Sequence, residues 1–321
     1  MNPVSDYPLE LGLNEFASLF GCAIEEIPPD CKEIIGQNDF HYRVAEGSEQ
    51  DEILQGVLKN LDTTTLTVSG AQRLPDWEKG WGENLEAFSK SKNILELVPK
   101  YIRPGRPLRL FQKYIVTRDP HFEFNWYMVF RRWLFRTYFK EARVICEFGC
   151  GSGFNLPVLS QLYPDKKIIG LDWTAASVDI VNRMTDFGWN IEGRRFDFFK
   201  PDKNFVIGPQ SAVVTIGALE QTGQKYGDFL NYLVDSKPAI CAHVEPVVEW
   251  YDEKDPIDQA AIRFHKKRGY WEGFIEQLRD FERKGHVQIL KTKRSYLGSL
   301  CVEGYSQIIW KSTEVTKGLG K

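Results

Sequence analysis

Between Ala142 and Trp310 the apolar positions follow two alternating rhythms: short runs of consecutive apolar residues, and longer stretches in which they recur every three or four positions. The first rhythm marks strands buried on both faces and the second amphipathic helices; their alternation is the mark of βαβ units. RVICEFG (143–149), KKIIGLDW (166–173), SAVVTIGAL (211–219) and PAICAHVEP (238–246) read as strands, with a weaker one at EGRRFDFF (192–199). Helices are expected over Asn155 to Leu162, Ala175 to Asp186 and Tyr226 to Asp235. One longer helix is expected over Pro256 to Lys284, with Tyr270, Phe274, Leu278 and Phe281 on one face. HVQILKTKRSYLG and GYSQIIWK close the pattern as two strands joined by a short connection. The fold class is α/β, a doubly wound and mostly parallel sheet.

The first 140 residues break this rhythm. They start acidic and turn rich in aromatics and arginine, with helical patterns at NEFASLFG and EQDEILQGVLKNL. FEFNWYMVFRRWLFRTYF (122–139) is strongly apolar but carries Arg131, Arg132 and Arg136 and falls short of the ~20 residues of a membrane span. It reads as a helix packed on the sheet, at the join of two regions. The organisation expected is a mainly helical N-terminal cap over 1–140 that supplies the substrate pocket, the α/β domain over 141–312, and a polar tail over 313–321.

Composition narrows the class only slightly. The 321 residues carry a formal charge of −3, which gives no general pull toward nucleic acid or anionic lipid. The six cysteines, at 22, 31, 146, 150, 241 and 301, form no CxxC pair and no zinc spacing, so free thiols in a reducing cytoplasm are expected and no metal is assigned. The N-terminus has neither the basic start nor the apolar core of a signal peptide. Soluble, cytoplasmic and without a membrane partner is the expectation.

The chemistry sits at Glu147-Phe148-Gly149-Cys150-Gly151-Ser152-Gly153, after a strand and before a helix. Glycines there let the backbone turn sharply and approach a ligand. The spacing is G-x-G-x-G, one residue shorter than the dinucleotide fingerprint. Glu147, two positions before the first glycine, suits a cationic ligand group rather than a phosphate. Asp172 ends the second strand, 19 residues after Gly153, where a two-oxygen carboxylate can accept from both hydroxyls of a ribose. The plain alternative is an ordinary strand-to-helix turn.

EFGCGSG followed by GLDWT resembles the cofactor site of class I S-adenosylmethionine-dependent methyltransferases, over about Arg143 to Trp310. The resemblance implies a Rossmann-like, seven-stranded sheet whose last strand is antiparallel and inserted between the fifth and sixth. It implies that Glu147, the loop residues Gly149, Cys150, Gly151 and Gly153, and Asn155 at the start of the next helix hold the methionine moiety. Asp172 would bind the ribose hydroxyls, with Trp173 and Thr174 beside the adenosine. Asp197 would accept the adenine amino group, with Phe198 against the ring; its alternative role is a turn acid or helix cap. Gly217 and Ala218 would run beneath the adenosine, and the alternative for that segment is a tight turn alone.

Methyl transfer needs alignment and, for oxygen acceptors, a base. Open α/β sheets place ligands at the carboxyl ends of their strands, which singles out Glu220 after the fourth strand and His243, Glu245 and Glu249 at or after the fifth. His243 is preferred, since imidazole titrates near neutrality; a hydrogen-bonded structural histidine is the competing reading. Neither an Asp/Asn-Pro-Pro segment nor a Pro-Cys nucleophile is present, which argues against nucleic acid. Trp77, Trp81, Trp126, Tyr127 and Trp133 form either cap core or substrate wall, and Trp250 and Tyr251 would close the same pocket. The function expected is methylation of a small-molecule acceptor, O- or N-directed. The alternatives are a protein or RNA methyltransferase, and a silent cofactor-binding scaffold.

Overall fold

The computed structural model describes residues 6–63 and 66–313. All but the first residue of the expected polar tail lies outside the described residues.

The strands of the C-terminal half form where apolar and β-branched residues run together, because both faces of the sheet are covered. They are β5 (Val144–Phe148), β6 (Lys167–Asp172), β7 (Ile191–Arg195), β8 (Ser211–Ile216), β9 (Ile240–Val244), β10 (Val287–Lys293) and β12 (Gln307–Ser312). β8 and β9 are buried at every position. The sheet order is β10-β12-β9-β8-β5-β6-β7, with β12 antiparallel to both its neighbours and the pairs from β9 to β7 parallel. The seventh strand thus lies between the fifth and sixth, as the resemblance implied.

Helices cover both faces. α5 (Phe122–Tyr138), α6 (Leu156–Leu162) and α7 (Ala175–Arg183) join one core, and α8 (Gly227–Ser236) and α10 (Phe274–Arg283) the other. The single long helix expected over 256–284 is two: α9 (Pro256–Arg268) and α10. Gly269 ends α9 at φ +60, the left-handed cap that glycine adopts at least cost, and Tyr270 lies in the break. Gly273, at φ +79, then caps the start of α10.

The N-terminal region holds α1 (Leu13–Phe20), α2 (Pro29–Gln37), α3 (Ser48–Asp62) and α4 (Leu74–Ser91). To these it adds four strands that the helical reading did not anticipate: β1 (Leu9–Glu10), β2 (His41–Val44), β3 (Leu108–Leu110) and β4 (Lys113–Thr117). They build an antiparallel sheet of order β1-β2-β4-β3-β11, whose last strand, β11 (Leu297–Gly298), comes from the far end of the chain. The connection between β10 and β12 is accordingly longer than expected. Trp126 and Trp133 on α5 are fully buried, and Phe20 stacks on Trp133. No helix among the described residues is long and apolar enough to cross a membrane.

Candidate cofactor cleft

The turn after β5 is built from three residues at positive φ: Gly149 (+69), Gly151 (+54) and Gly153 (+71). At two of them space as well as conformation requires glycine. A Cβ on Gly149 would lie 2.5 Å from the Ala218 methyl, and one on Gly151 would lie 2.7 Å from the Trp81 ring. The turn is pinned to β6, since the N–H groups of Gly149 and Cys150 both donate to the Leu171 carbonyl.

Asp172 is 4% exposed. Its Oδ1 accepts from the Thr174 N–H at 2.9 Å and hydroxyl at 2.7 Å, and its Oδ2 from the Gly151 N–H at 3.0 Å. Burial raises its pKa, against those three donors. Oδ1 is thereby saturated and Oδ2 keeps one lone pair, so the carboxylate offers a single further acceptor position rather than a fork. Thr174 caps α7 through its hydroxyl, which accepts from the Ser177 N–H at 3.3 Å.

Glu147 lies beneath the turn, 2% exposed. Its Oε1 accepts from the Asn155 amide at 2.7 Å, and its Oε2 is buried without a partner among the described residues. Burial pushes its pKa up to about 7. Asn155 in turn accepts at Oδ1 from the Tyr127 hydroxyl at 2.7 Å. Cys150 is a buried thiol whose pKa burial drives well above its ordinary value, which makes it a packing group.

Around the turn opens a cleft of about 560 Å³. Gly149, Asp172, Trp173, Phe198, Gly217 and Ala218 all line it, together with Trp81 and Trp77 from α4. Sequence reasoning missed Phe196 and Phe199, from the turn after β7, and Gln221 and Thr222 after β8. The double aromatic in RFDFF was the available signal for Phe199, whose ring stands 5.7 Å from that of Trp173. Asp197 closes that turn by accepting from the Phe199 N–H at 2.8 Å and is not among the lining residues.

The proposed bases and walls separate sharply. His243 is fully buried within β9. Its Nε2 accepts from the Trp310 indole at 3.0 Å, which leaves the proton on Nδ1, 3.0 Å from the Thr215 hydroxyl. Burial depresses its pKa to about 3. This is the structural histidine, cut off from the cleft, and not a base. Glu245 is also fully buried and accepts from the backbone N–H groups of Ala218 (3.0 Å) and Leu219 (3.1 Å). Burial first, then the adjoining Glu220 carboxyl, raises its pKa well above the carboxylate range, and it props the turn as a hydrogen-bond acceptor. Glu220 is 4% exposed; Oε1 accepts from the Gln221 amide at 2.8 Å, and its carboxyl hydrogen-bonds that of Glu245. Glu249 is exposed and accepts from the Gly273 N–H at the head of α10. Trp126 is core, not wall. Tyr251 is buried between the guanidinium groups of Arg109 and Arg294, and Trp250 packs into the second core; neither lines the cleft. No group of three or more metal-ligating side chains occurs among the described residues.

No protein-family model and no curated protein matches the chain. Among solved structures it is similar to a SAM-dependent methyltransferase from Aquifex aeolicus, at 17% identity over 56% of this chain and 86% of that one, with a TM-score of 0.40. It is similar also to the plantazolicin methyltransferase BpumL, solved with a monoazolic desmethylPZN analog and SAH, at 12% identity over 76% and 98% of the two chains, TM-score 0.43. A third is the N,N-8-amino-8-demethyl-D-riboflavin dimethyltransferase RosA from Streptomyces davawensis, at 17% identity over 60% and 56%, TM-score 0.40. The sheet order, with its inserted antiparallel strand, is that of a Rossmann-like methyltransferase fold.

Proposed function

We propose that the protein is an S-adenosylmethionine-dependent methyltransferase acting on a small-molecule acceptor. One observation carries the reading: two buried carboxyl groups at the glycine turn keep acceptor capacity to spare, Asp172 at Oδ2, which lines the cleft, and Glu147 at Oε2, which lies outside its lining. A buried oxygen without a donor costs on the order of 1–3 kcal/mol, so a cationic or hydroxyl-bearing ligand there is favoured. The aromatic walls of the cleft, Trp81, Trp173, Phe198 and Phe199 among them, suit a flat base.

In this reading Glu147 faces the ammonium of the methionine moiety. Asp172 takes one ribose hydroxyl, and Trp173, Phe198 and Phe199 enclose the adenine. When bound, the cofactor supplies the electrophilic methyl. What remains to the chain is to align the acceptor, keep water out and take up a proton. α4 covers the cleft through Trp77 and Trp81. Glu220 is taken as the proton acceptor because it bonds the cleft-lining Gln221 amide and adjoins the Glu245 carboxyl, through which a proton can be shared.

Calorimetry with S-adenosylmethionine and S-adenosylhomocysteine tests the reading. Binding is expected, weakened by roughly 1–3 kcal/mol in Asp172→Ala, where a hydrogen-bonded charged group is removed. No heat of binding at high micromolar cofactor overturns it. Glu220→Gln is expected to bind cofactor normally and to lose turnover; a fully active variant would move the base elsewhere.

A further inference from the structure

We propose that the groove between α3, the 101–108 loop, α9 and the 299–301 loop is the acceptor chamber, where Arg103 and Arg106 grip an oxyanion, carboxylate or phosphate, on the acceptor. The proposal rests on the methyltransferase reading and adds to it the substrate class. The groove holds about 1090 Å³, with Arg103, Arg106, Tyr101 and Glu123 among its lining.

The two arginines are the first argument. Neither makes an ion pair among the described residues. Arg103 donates only to the Lys100 carbonyl, at 3.2 Å, and Arg106 makes no side-chain hydrogen bond among the described residues. Their neighbours differ: Arg109 is bonded to Asp258 and Arg118 to Asp39. Two solvent-exposed guanidinium groups without ion-pair carboxylates, on one rim of the groove, present planar forks of donors matched to an oxyanion.

The floor is the second argument. Glu123 enters from the first turn of α5, 6% exposed, and accepts from the Tyr305 hydroxyl at 3.0 Å. Burial pushes its pKa up to about 7, so near neutrality a large share of it carries no charge to repel an anion. Glu52, the other carboxylate of the lining, is exposed on α3.

The third argument is the route to the cofactor cleft. Tyr101 lines the groove, and its phenol lies beside that of Tyr127. Tyr127 donates to Asn155, and Asn155 to Glu147 beneath the glycine turn. The Tyr101 phenol also lies within electrostatic reach of Glu220. Three side chains, Tyr101, Tyr127 and Asn155, therefore link the groove to Glu147, and Tyr101 alone stands between it and Glu220.

Cys301 provides a readout independent of turnover. It is a half-buried thiol lining this groove, while Cys22, also half-buried, lies elsewhere beside Trp133 and Lys291. The intact protein is alkylated slowly, with S-adenosylmethionine present, in matched ionic strength of chloride, inorganic pyrophosphate or glutarate. Both thiols are followed by peptide mass spectrometry. Pyrophosphate or glutarate is expected to slow Cys301, roughly tenfold at ten times its dissociation constant, and to leave Cys22 unchanged. Which anion protects tells phosphate from carboxylate. The double variant Arg103→Gln/Arg106→Gln is expected to lose protection while its calorimetric affinity for S-adenosylmethionine and its unfolding transition stay in place. Equal labelling of Cys301 under all three anions, in protein that binds S-adenosylmethionine, overturns the proposal. Absence of cofactor binding overturns the reading beneath it and the acceptor role with it, and shows in the calorimetric trace rather than at Cys301.

Discussion

At the scale of single residues, the cleft is governed by charge taken out of water. Glu147 has a pKa lifted from 4.5 to about 7 by burial, so the folded protein binds a proton there that the unfolded chain has lost. Stability therefore falls as pH rises between those two values and carries the full penalty above about 7, on the order of 3 kcal/mol. Denaturant titrations are expected to show that decline, and Glu147→Gln to flatten it. A bound cation reverses the balance by favouring the carboxylate, so cofactor binding near pH 6 is expected to release up to about one proton. Calorimetry in buffers of different ionisation heat measures this release, and Glu147→Gln is expected to show none. Gly151→Ala forces an alanine into left-handed backbone, worth about 1–2 kcal/mol, and drives its methyl into Trp81. Its melting temperature is expected to drop by several degrees, with Trp81→Ala recovering only the steric part.

The residues legible in the sequence at this scale were those whose identity the backbone itself demands. A glycine that must turn at positive φ and a carboxylate at a strand tip announce themselves locally. The role of His243 was not legible, because it depends on what its two nitrogens meet. Thr215 pairs with it across β8 and the Trp310 indole reaches it from β12, partners 28 and 67 positions away. Tyr251 was misread for the same reason: an aromatic after a strand looks like a pocket wall until Arg109 and Arg294 close over its faces.

Among elements, the junction of α4 with α7 controls the cleft. Glu78 on α4 accepts from the Ala175 and Ala176 N–H groups, both at 2.8 Å, at the start of α7. A carboxylate there satisfies two orphan donors and complements the helix dipole, together worth about 1 kcal/mol. Glu78→Ala is expected to loosen α4, seen as greater acrylamide quenching of Trp77 and Trp81 and faster amide exchange along 74–91. Unchanged quenching would show that aromatic packing alone holds the cover. The parallel strands were legible because burial on both faces leaves unbroken apolar runs. The strands of the second sheet were not: β1 and β11 have two residues each, too short for any period. The break in 256–284 did carry a signal, Gly269 and Gly273 on either side of Tyr270, which the helical spacing of the aromatics masked.

For the whole molecule, the two sheets are fastened by a buried ionic knot. Arg109 on β3 bonds Asp258 on α9, and Asp258 also accepts from Arg294 at 2.7 Å and from the Gln112 amide at 3.1 Å. Glu303 completes it, 2.6 Å from Arg294. Arg109, Asp258 and Glu303 are at most 1% exposed. Removing one partner strands a buried charge, so Asp258→Ala is expected to cost about 3–5 kcal/mol. Urea unfolding followed by tryptophan fluorescence and by circular dichroism is expected to stay a single coincident transition at lower midpoint. Separated transitions would mean that the sheets unfold independently.

The two residues of β11 also bear on how the chain is made. Because they pair with Leu110 and Arg109, the outer edge of β3 stays open until translation has passed Gly298. An open edge invites pairing with other chains. Nascent or prematurely terminated products ending before Leu297 therefore display a sticky flank, and they should be the forms that chaperones retain and that collect as aggregate.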